Sequence, residues 1–271
     1  MQSIQEVLDY YDKDDEDGRL LESEGRLEYC RSKLIIQRFL PPPPAAILDV
    51  GGGTGPYSFW LAALGYEVHL LEPVQKHINV AKERNRAATR PLAGIHLADA
   101  RELPFSDDAF DLVLLMGPLY HLTDANDRTQ ALLEARRVLK SNANLLVAYI
   151  SRFASLLDGY RSRLVQSAEF RQIMFTDLAT GRHRGAADGS TKYFTQAFLH
   201  HPQEIVSEIG SAGFHTIEQT AIESFGFMVP DLDTSWNDGE QRDALLRAIQ
   251  LVEKEPTLLG LSPHIMVSAR K

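Results

Sequence analysis

Residues 47–55 read ILDVGGGTG, an apolar run that leads directly into a cluster of glycines. A helix-like segment follows and starts at Pro56. Glycine has no Cβ, so the backbone can turn sharply here and approach a ligand closely. The order of strand, glycine loop and helix predicts a ligand site at the carboxyl edge of a doubly wound parallel sheet.

The type of ligand depends on the residue at position 56. A dinucleotide fingerprint, G-x-G-x-x-G, laid on Gly51 and Gly53 requires a small residue where this chain has Pro56. Proline also removes one backbone N–H from the first helical turn, which weakens a cradle for a pyrophosphate. The loop therefore favours a nucleotide ligand without phosphates.

Two carboxylates follow at the ends of neighbouring apolar runs. Glu72 lies about 20 residues after the glycine loop, where a carboxylate accepts hydrogen bonds from a ribose diol. Asp99 ends the next run beside the same crevice, and it is a candidate acceptor for an adenine amino group. Either side chain would alternatively cap a helix without binding a ligand.

Apolar runs alternate with helix-like stretches along most of the chain, which is typical of βαβ units. The predicted strands cover 45–50, 67–71, 95–98, 111–116, 144–150, 215–225 and 264–270. The predicted helices cover 56–64, 74–87, 124–140, 202–211 and 239–254. The predicted fold class is α/β, a Rossmann-like doubly wound sheet of seven strands with a helical N-terminal cap and an inserted helical lid.

Four regions are expected along the chain. They are a helical cap over 1–44, a ligand-binding core over 45–150, a helical lid over 151–200 and the C-terminal part of the sheet over 201–271. The cap contains an acidic run at 12–17, which we interpret as a solvated turn. The lid ends in a Gly/Ser/Asp-rich stretch typical of a loop.

The composition of the chain limits the kinds of molecule that the protein is expected to bind. A chain of 271 residues with 44% hydrophobic residues can bury a sizeable core. A net charge of −9 disfavours a nucleic-acid substrate. The acidic N-terminus and the lack of a long apolar run favour a cytoplasmic protein that does not associate with membranes. Cys30 is the only cysteine, and no Cys/His cluster has zinc-like spacing, so neither a disulfide nor a metal is expected.

The whole pattern resembles the class I S-adenosylmethionine-dependent methyltransferases. It comprises Asp49-x-Gly51-x-Gly53-x-Gly55, then Glu72, Asp99-Ala100 and residues 110–113. The resemblance implies a sheet whose last strand is antiparallel and lies between the fifth and the sixth. It also implies S-adenosylmethionine as cofactor and S-adenosylhomocysteine as product.

The resemblance implies a role for individual residues of this sequence in binding the cofactor. The glycine loop and Gly117 would flank the methionyl and ribose portions, Glu72 would bind the ribose hydroxyls, and Asp99 with the Ala100 backbone would recognise adenine. The predicted cofactor-binding residues are Asp49, Gly51, Gly52, Gly53, Gly55, Glu72, Pro73, Asp99, Ala100, Arg101, Met116, Gly117, Tyr11, Arg19 and Arg31. An arginine of the cap, Arg19 or Arg31, would pair with the cofactor carboxylate, although a solvated arginine is the ordinary alternative.

Residues 103–111 and 134–140 resemble the small-molecule branch near the ubiquinone and menaquinone methyltransferases. Residues 117–122 read GPLYHL, where amino-methylating enzymes tend to carry an Asn/Asp-Pro-Pro-Tyr motif. Methylation of adenine or glutamine nitrogen is therefore not expected. The acceptor is expected to be a small, mostly apolar or aromatic molecule, with oxygen, nitrogen, sulfur and carbon nucleophiles all open, as is the choice between monomer and homodimer.

His121 and Tyr120 follow the fourth strand, near the expected position of the methyl group. A neutral imidazole accepts a proton near pH 7, so His121 is the candidate general base or substrate contact, unless it only packs the loop. Tyr120 is expected to form a wall of the pocket. Two other functions stay open on the sequence: an NAD(P)-dependent oxidoreductase, against which Pro56 speaks, and a non-catalytic protein that binds the cofactor.

Overall fold

The computed structural model of the chain describes residues 2–13, 18–21 and 23–271. The acidic run at 12–17, predicted as a solvated turn, falls largely on residues 14–17, which lie outside that description. Within the described ranges, no helix combines the length and the apolar character needed to cross a membrane.

The strands form one large sheet and one short two-stranded sheet. They are β1 (Ala46–Val50), β2 (Glu67–Glu72), β3 (Gly94–Leu97), β4 (Phe110–Leu115), β5 (Leu139–Ile150), β6 (Arg182–His183), β7 (Ala197–Phe198), β8 (His215–Ala221) and β9 (His264–Arg270). The large sheet has seven strands in the order β3-β2-β1-β4-β5-β9-β8, and β6 pairs with β7. β1 to β5 are parallel, and β9 is antiparallel to both β5 and β8. The predicted fold class is confirmed, including the position of the last strand.

Helices lie on both faces of the sheet and over its carboxyl edge. They are α1 (Gln2–Lys13), α2 (Ser23–Ile36), α3 (Pro56–Ala63), α4 (Gln75–Ala87), α5 (Pro118–His121), α6 (Ala125–Val138), α7 (Ala154–Arg161), α8 (Ala168–Thr180), α9 (Pro202–Ser211), α10 (Leu232–Asn237) and α11 (Gly239–Val252). Asp124 begins α6 because its side chain accepts a hydrogen bond from Asn126 N.

The core forms because every strand in the middle of the sheet is apolar on both faces. On β4, Val113 packs with α6 and α9 on one face, whereas Leu112 and Leu114 pack with α2 and α3 on the other. Each of these side chains is fully buried, which stabilises the fold by about 1.5–3 kcal/mol per residue. Two hydrophobic layers therefore pack the sheet between its helices.

The strand predicted over 215–225 ends earlier, at Ala221. Ser224 has a left-handed backbone with φ of 53°, and a short 3-10 turn covers Ser224–Met228. The Ser262 hydroxyl oxygen accepts hydrogen bonds from the amides of Glu223 and Ser224 and so replaces their partners in the sheet. The chain leaves the sheet here and turns Glu223 back towards β9.

α1 lies across the carboxyl edge of the sheet as a roof. The Gln196 side chain donates a hydrogen bond of 2.8 Å to Glu6, and the rings of Tyr10 and Phe194 meet with centroids 6.1 Å apart. On the other side, Lys76 Nζ donates to the carbonyl of Asp12 at 3.3 Å. The roof is thus tied both to α4 and to the segment that precedes β7.

Candidate active site

A cavity of about 600 Å³ lies under this roof, at the carboxyl ends of β1, β2 and β4. Its wall is mostly apolar and includes Val7 and Leu8 of α1. Thirteen of the predicted site residues line it: Tyr11, Arg19, Gly51, Gly52, Gly53, Glu72, Pro73, Asp99, Ala100, Met116, Gly117, Tyr120 and His121. The structure therefore brings the signals at the ends of four separate strands, β1 to β4, into one space.

The glycine loop needs glycine for two distinct reasons. Gly51 has φ of 69° and donates from its amide to the Leu71 carbonyl at 2.7 Å, and a Cβ there would lie 2.6 Å from Pro118. Gly53 has φ of 58°, but a Cβ on it would meet nothing within 4 Å. Gly51 is required by close packing, whereas the face of Gly53 is open to the cavity.

Glu72 ends β2 as a buried carboxylate, only 5% exposed, whose oxygens are held in place. Oε2 accepts a hydrogen bond from Gly53 N at 3.0 Å. Oε1 accepts one from Val74 N at 3.1 Å and lies 3.2 Å from Nδ1 of His77. Because a carboxylate oxygen accepts about two hydrogen bonds, Oε2 keeps capacity for a donor in the cavity.

Asp99 stands at the end of the next strand and is held by a neighbouring arginine. Arg101 donates from its backbone amide and from Nε to Oδ1 at 2.8 and 2.9 Å, and from a terminal nitrogen to Oδ2 at 2.7 Å. Burial opposes ionisation of Asp99, but these bonds outweigh it and lower its pKa. Arg101 also pairs with Asp127, so it acts on the cavity by orienting Asp99.

Four predicted cofactor-binding residues do not line the cavity: Asp49, Gly55, Arg101 and Arg31. Asp49 is fully buried below the loop, where Oδ2 accepts a hydrogen bond from the Ser58 hydroxyl at 2.6 Å and burial raises its pKa to about 6. Gly55, with φ of 92°, begins α3.

The placement of Arg31 differs most from the prediction. Its side chain is 1% exposed, ion-pairs with Glu253 and donates to the Ile222 carbonyl at 3.1 Å. Both partners come from the C-terminal part of the chain, so Arg31 ties α2 to that part and does not reach the cavity. The other cap arginine, Arg19, lines the cavity and forms a two-point ion pair with Glu28.

His121 and Tyr120, the two candidate catalytic residues, lie on α5 and line the cavity. Burial lowers the pKa of His121 to about 4, so its imidazole is neutral at pH 7. Its Nε2 lies 2.9 Å from the Tyr11 hydroxyl, which covers that nitrogen. The Tyr120 hydroxyl donates to the Met116 carbonyl at 3.3 Å.

Sequence reasoning missed a second polar cluster at the cavity wall. It consists of Glu28 on α2, Glu223 after β8 and His264 at the start of β9, and one potential ligand atom of each lies within 4.8 Å of the others. Glu28 and His264 line the same cavity as the glycine loop. No local motif marks these residues, and only the position of His264 at the start of a strand gave a signal.

The charges of the three side chains in this cluster, and of Arg19 beside them, indicate which kind of site they form. Burial opposes ionisation of Glu28, but Arg19 and His264 lower its pKa overall. Burial also disfavours the imidazolium of His264, yet Glu223 and Glu28 outweigh it and raise its pKa to about 9. Because Arg19 already pairs with Glu28 and Glu223 with His264, we interpret the cluster as a network of charged hydrogen bonds.

Comparison with known proteins agrees with this architecture. The family model described as "Methyltransferase domain" matches residues 48–147. The ubiquinone/menaquinone biosynthesis C-methyltransferase UbiE of Neisseria meningitidis is 31% identical over 179 residues, which are 64% of this chain and 67% of that protein. Methyltransferase GfsG of Streptomyces halstedii is 34% identical over 106 residues, 38% of this chain but only 37% of its own length.

Solved structures extend the likeness over nearly the whole chain. A SAM-dependent methyltransferase from Methanosarcina mazei superposes with a TM-score of 0.61 at 19% identity and covers 88% of this chain and 96% of its own. The [4+2]-cyclase SpnF superposes with a TM-score of 0.58 at 19% identity, over 95% of this chain and 84% of its own. Such distant likeness shows the fold, and a fold by itself does not determine the reaction. The sequence relatives supply the assignment, and by them this chain belongs to the family of S-adenosylmethionine-dependent methyltransferases.

Proposed function

We propose that the protein transfers a methyl group from S-adenosylmethionine to a small-molecule acceptor. The observation that carries the proposal is the Glu72 carboxylate, held by the amide of Gly53 at the wall of the cavity. S-adenosylmethionine supplies a methyl group that its sulfonium has already activated. The protein then needs to bind, align and exclude water.

The residues present fit this cofactor. The open face of Gly53 leaves room for a ligand against the backbone, and Glu72 Oε2 retains a free acceptor position for a sugar hydroxyl. Asp99, fixed by Arg101, keeps acceptor capacity beside the Ala100 backbone. The cavity of about 600 Å³ lies within the range of small-molecule sites, about 300–1,000 Å³.

The two alternative functions require different properties of the site. An oxidoreductase that binds NAD(P) needs a pyrophosphate cradle, and Pro56 occupies the first turn of α3 where that cradle would be. Nothing in the family comparison favours it. A non-catalytic protein would bind the cofactor without turnover, so the detection of a methylated product in a metabolite extract separates it from an enzyme.

The proposal is tested by calorimetric titration with S-adenosylhomocysteine. We expect saturable binding to the wild type, its loss in Glu72→Ala and weakened binding in Glu72→Gln, which preserves the side-chain shape. Glu67→Ala is the matched control, because Glu67 lies on the same strand and is exposed. The absence of binding to folded wild-type protein, or an increase in NADH fluorescence on addition of the protein, would overturn the assignment.

A further inference from the structure

Two histidines meet on one face of the sheet, away from the cavity that holds the glycine loop. His69 lies on β2 and His96 on β3, and neither lines that cavity. In the parallel register, His69 pairs with Gly94 and Leu71 pairs with His96. Paired residues, and residues two apart on one strand, point to the same face of a sheet. The two imidazole rings therefore share a face and meet above Gly94, which has no side chain.

Each ring presents one nitrogen to a common gap above Gly94. Nδ1 of His69 lies 3.2 Å from Nε2 of His96, and the stacked rings have centroids 5.5 Å apart with 22° between their planes. A Cβ on Gly94 would lie 2.4 Å from Nε2 of His96 and 2.8 Å from Nδ1 of His69. The gap is thus bordered by both nitrogens, and glycine at position 94 keeps its floor clear.

The separation of the two nitrogens suits a metal ion that binds both. Bonds from zinc to imidazole nitrogen are about 2.0–2.1 Å long. For two nitrogens 3.2 Å apart, such bonds give an angle of about 100° at the ion. This angle lies between about 90°, the value for octahedral coordination, and about 109°, the value for tetrahedral coordination. The pair therefore has the spacing of two neighbouring ligands in a metal site.

The protonation of the rings favours coordination. Burial and the neighbouring His69 lower the pKa of His96 below its ordinary value, so this ring is neutral at pH 7. Oε1 of Glu67 lies 3.8 Å from Nε2 of His69, and its negative charge favours the proton of that ring on Nε2, which leaves Nδ1 as an acceptor. Metal binding then requires only that His96 carry its proton on Nδ1. A metal ion would use the lone pairs of both facing nitrogens, whereas a hydrogen bond between the rings uses only one.

Aromatic side chains hold the two rings in place. Phe105 meets His96 edge to face with centroids 4.9 Å apart, and it meets His69 in the same way at 5.6 Å. Phe110 contacts His69 with centroids 5.5 Å apart. The side chain of His69 is nevertheless 23% exposed, so an ion can reach the pair from solvent. Ligands that packing already orients lose little freedom when they bind a metal.

We propose that Nδ1 of His69 and Nε2 of His96 bind one divalent transition-metal ion of the class that prefers imidazole, such as Zn²⁺, Ni²⁺ or Cu²⁺. Water completes the coordination shell on the exposed side. β3 is an edge strand of the seven-stranded sheet, so the ion joins this edge to its neighbour β2. The site is structural and is separate from the methyl-transfer reaction.

The position of the site explains what the ion would stabilise. His69 lies three residues before Glu72, which is about 10 Å along the strand, and His96 lies three residues before Asp99. The ion therefore ties together the two strands that lead to the carboxylates of the cavity. The spacing of residues along the chain does not predict this site, because the two histidines are 27 residues apart and meet only through the register of β2 and β3.

Calorimetric titration of the untagged, chelator-treated protein with Zn²⁺ tests the proposal. We expect His69→Asn and His96→Asn to bind at least about tenfold more weakly than wild type, because loss of even an indirect partner of a metal ligand costs about 10–100-fold in affinity. Gly94→Ala should have the same effect although both histidines remain, since its methyl group would displace the rings. The matched controls are His215→Asn, at an exposed histidine of β8, and Gly210→Ala, where a Cβ meets nothing within 4 Å. Both should bind as wild type does.

A second measurement on the wild type does not depend on the folding of any variant. In ¹⁵N-histidine NMR, saturating Zn²⁺ should shift the resonances of Nδ1 of His69 and Nε2 of His96, and it should raise the melting temperature of the protein. The proposal would be overturned if no saturable binding occurred, if affinity were unchanged in His69→Asn, His96→Asn and Gly94→Ala, or if the shifts were confined to other histidines. Binding of S-adenosylhomocysteine is measured without the metal, so these outcomes leave the methyltransferase proposal unaffected.

Discussion

The Tyr11 hydroxyl lies 2.9 Å from Nε2 of His121, and their rings meet edge to face with centroids 5.4 Å apart. The Tyr11 ring also contacts His77 of α4, with centroids 5.5 Å apart. One aromatic side chain of α1 thus bridges two helices on opposite sides of the cavity. As long as Tyr11 stays there, the roof is closed over His121.

Removing the Tyr11 hydroxyl should loosen the roof. One neutral hydrogen bond contributes about 1 kcal/mol net, so Tyr11→Phe should release S-adenosylhomocysteine about fivefold faster in stopped-flow experiments. Tyr66→Phe is the control, because it loses a similar bond, of 2.8 Å to the Pro41 carbonyl, on another part of the surface. Equal release rates for the two variants would contradict the role of Tyr11.

Buried His121 should make the protein sensitive to acid. Its pKa of about 4 in the folded state lies below the ordinary 6.5, so the unfolded chain binds more protons between these values. The stability it contributes is therefore present above pH 6.5 and is lost as the pH falls towards 4. Urea unfolding at pH 7.5 and 5.5 should show that His121→Gln loses about 1 kcal/mol less than wild type over this interval. Parallel losses in both proteins would contradict this prediction.

His264 should act in the opposite direction. Its folded pKa of about 9 lies above the ordinary 6.5, so the folded state binds the extra proton. Its contribution is complete below pH 6.5 and is lost as the pH rises towards 9. The stability difference between wild type and His264→Gln should shrink by on the order of 1–2 kcal/mol across this interval, after allowance for partial exposure of the ring. A difference that stays constant with pH would show that the ring does not titrate in this range.

Two neighbouring glycines should respond differently to alanine. At Gly53 the new methyl group meets open cavity, so Gly53→Ala should cost only about 1 kcal/mol for its left-handed backbone while it blocks S-adenosylhomocysteine. At Gly52 a Cβ would lie 2.3 Å from Leu70 and 2.6 Å from Asp49, so Gly52→Ala should destabilise by about 1–3 kcal/mol through overpacking. Thermal unfolding and calorimetry separate the two effects, and unchanged cofactor affinity in Gly53→Ala would contradict the assignment of its open face.

Arg31 should contribute to the stability of the fold and not to cofactor binding. Arg31→Met leaves Glu253 with one fewer partner in a buried site, which costs about 3–5 kcal/mol of unfolding free energy. Affinity for S-adenosylhomocysteine in the folded fraction should stay at the wild-type value, measured at low temperature. Weakened binding without loss of stability would restore the earlier expectation that Arg31 contacts the cofactor.

The parts of the site that were predictable are those that follow from strand ends. Glu72 ends β2 and Asp99 follows the end of the adjacent parallel strand β3, and the carboxyl ends of parallel strands meet at one edge of a sheet. The roles of three further residues could be predicted from the local backbone conformation that each residue type permits: Gly51, Gly53 and Pro56. Arg31 was misplaced because its helical segment contains several polar residues, and the sequence does not show which of them faces the core.

The sheet, the glycine loop and the carboxylates beside it could be predicted from the residues alone, because each depends on residue spacing of short range: alternating apolar runs, a turn without Cβ atoms, and an acidic residue where a strand stops. That Glu28, Glu223 and His264 lie together and that Tyr11 covers His121 became visible only in the folded chain. Glu28 and His264 are 236 residues apart in the sequence, so their charges interact only after the sheet has formed and brought them together.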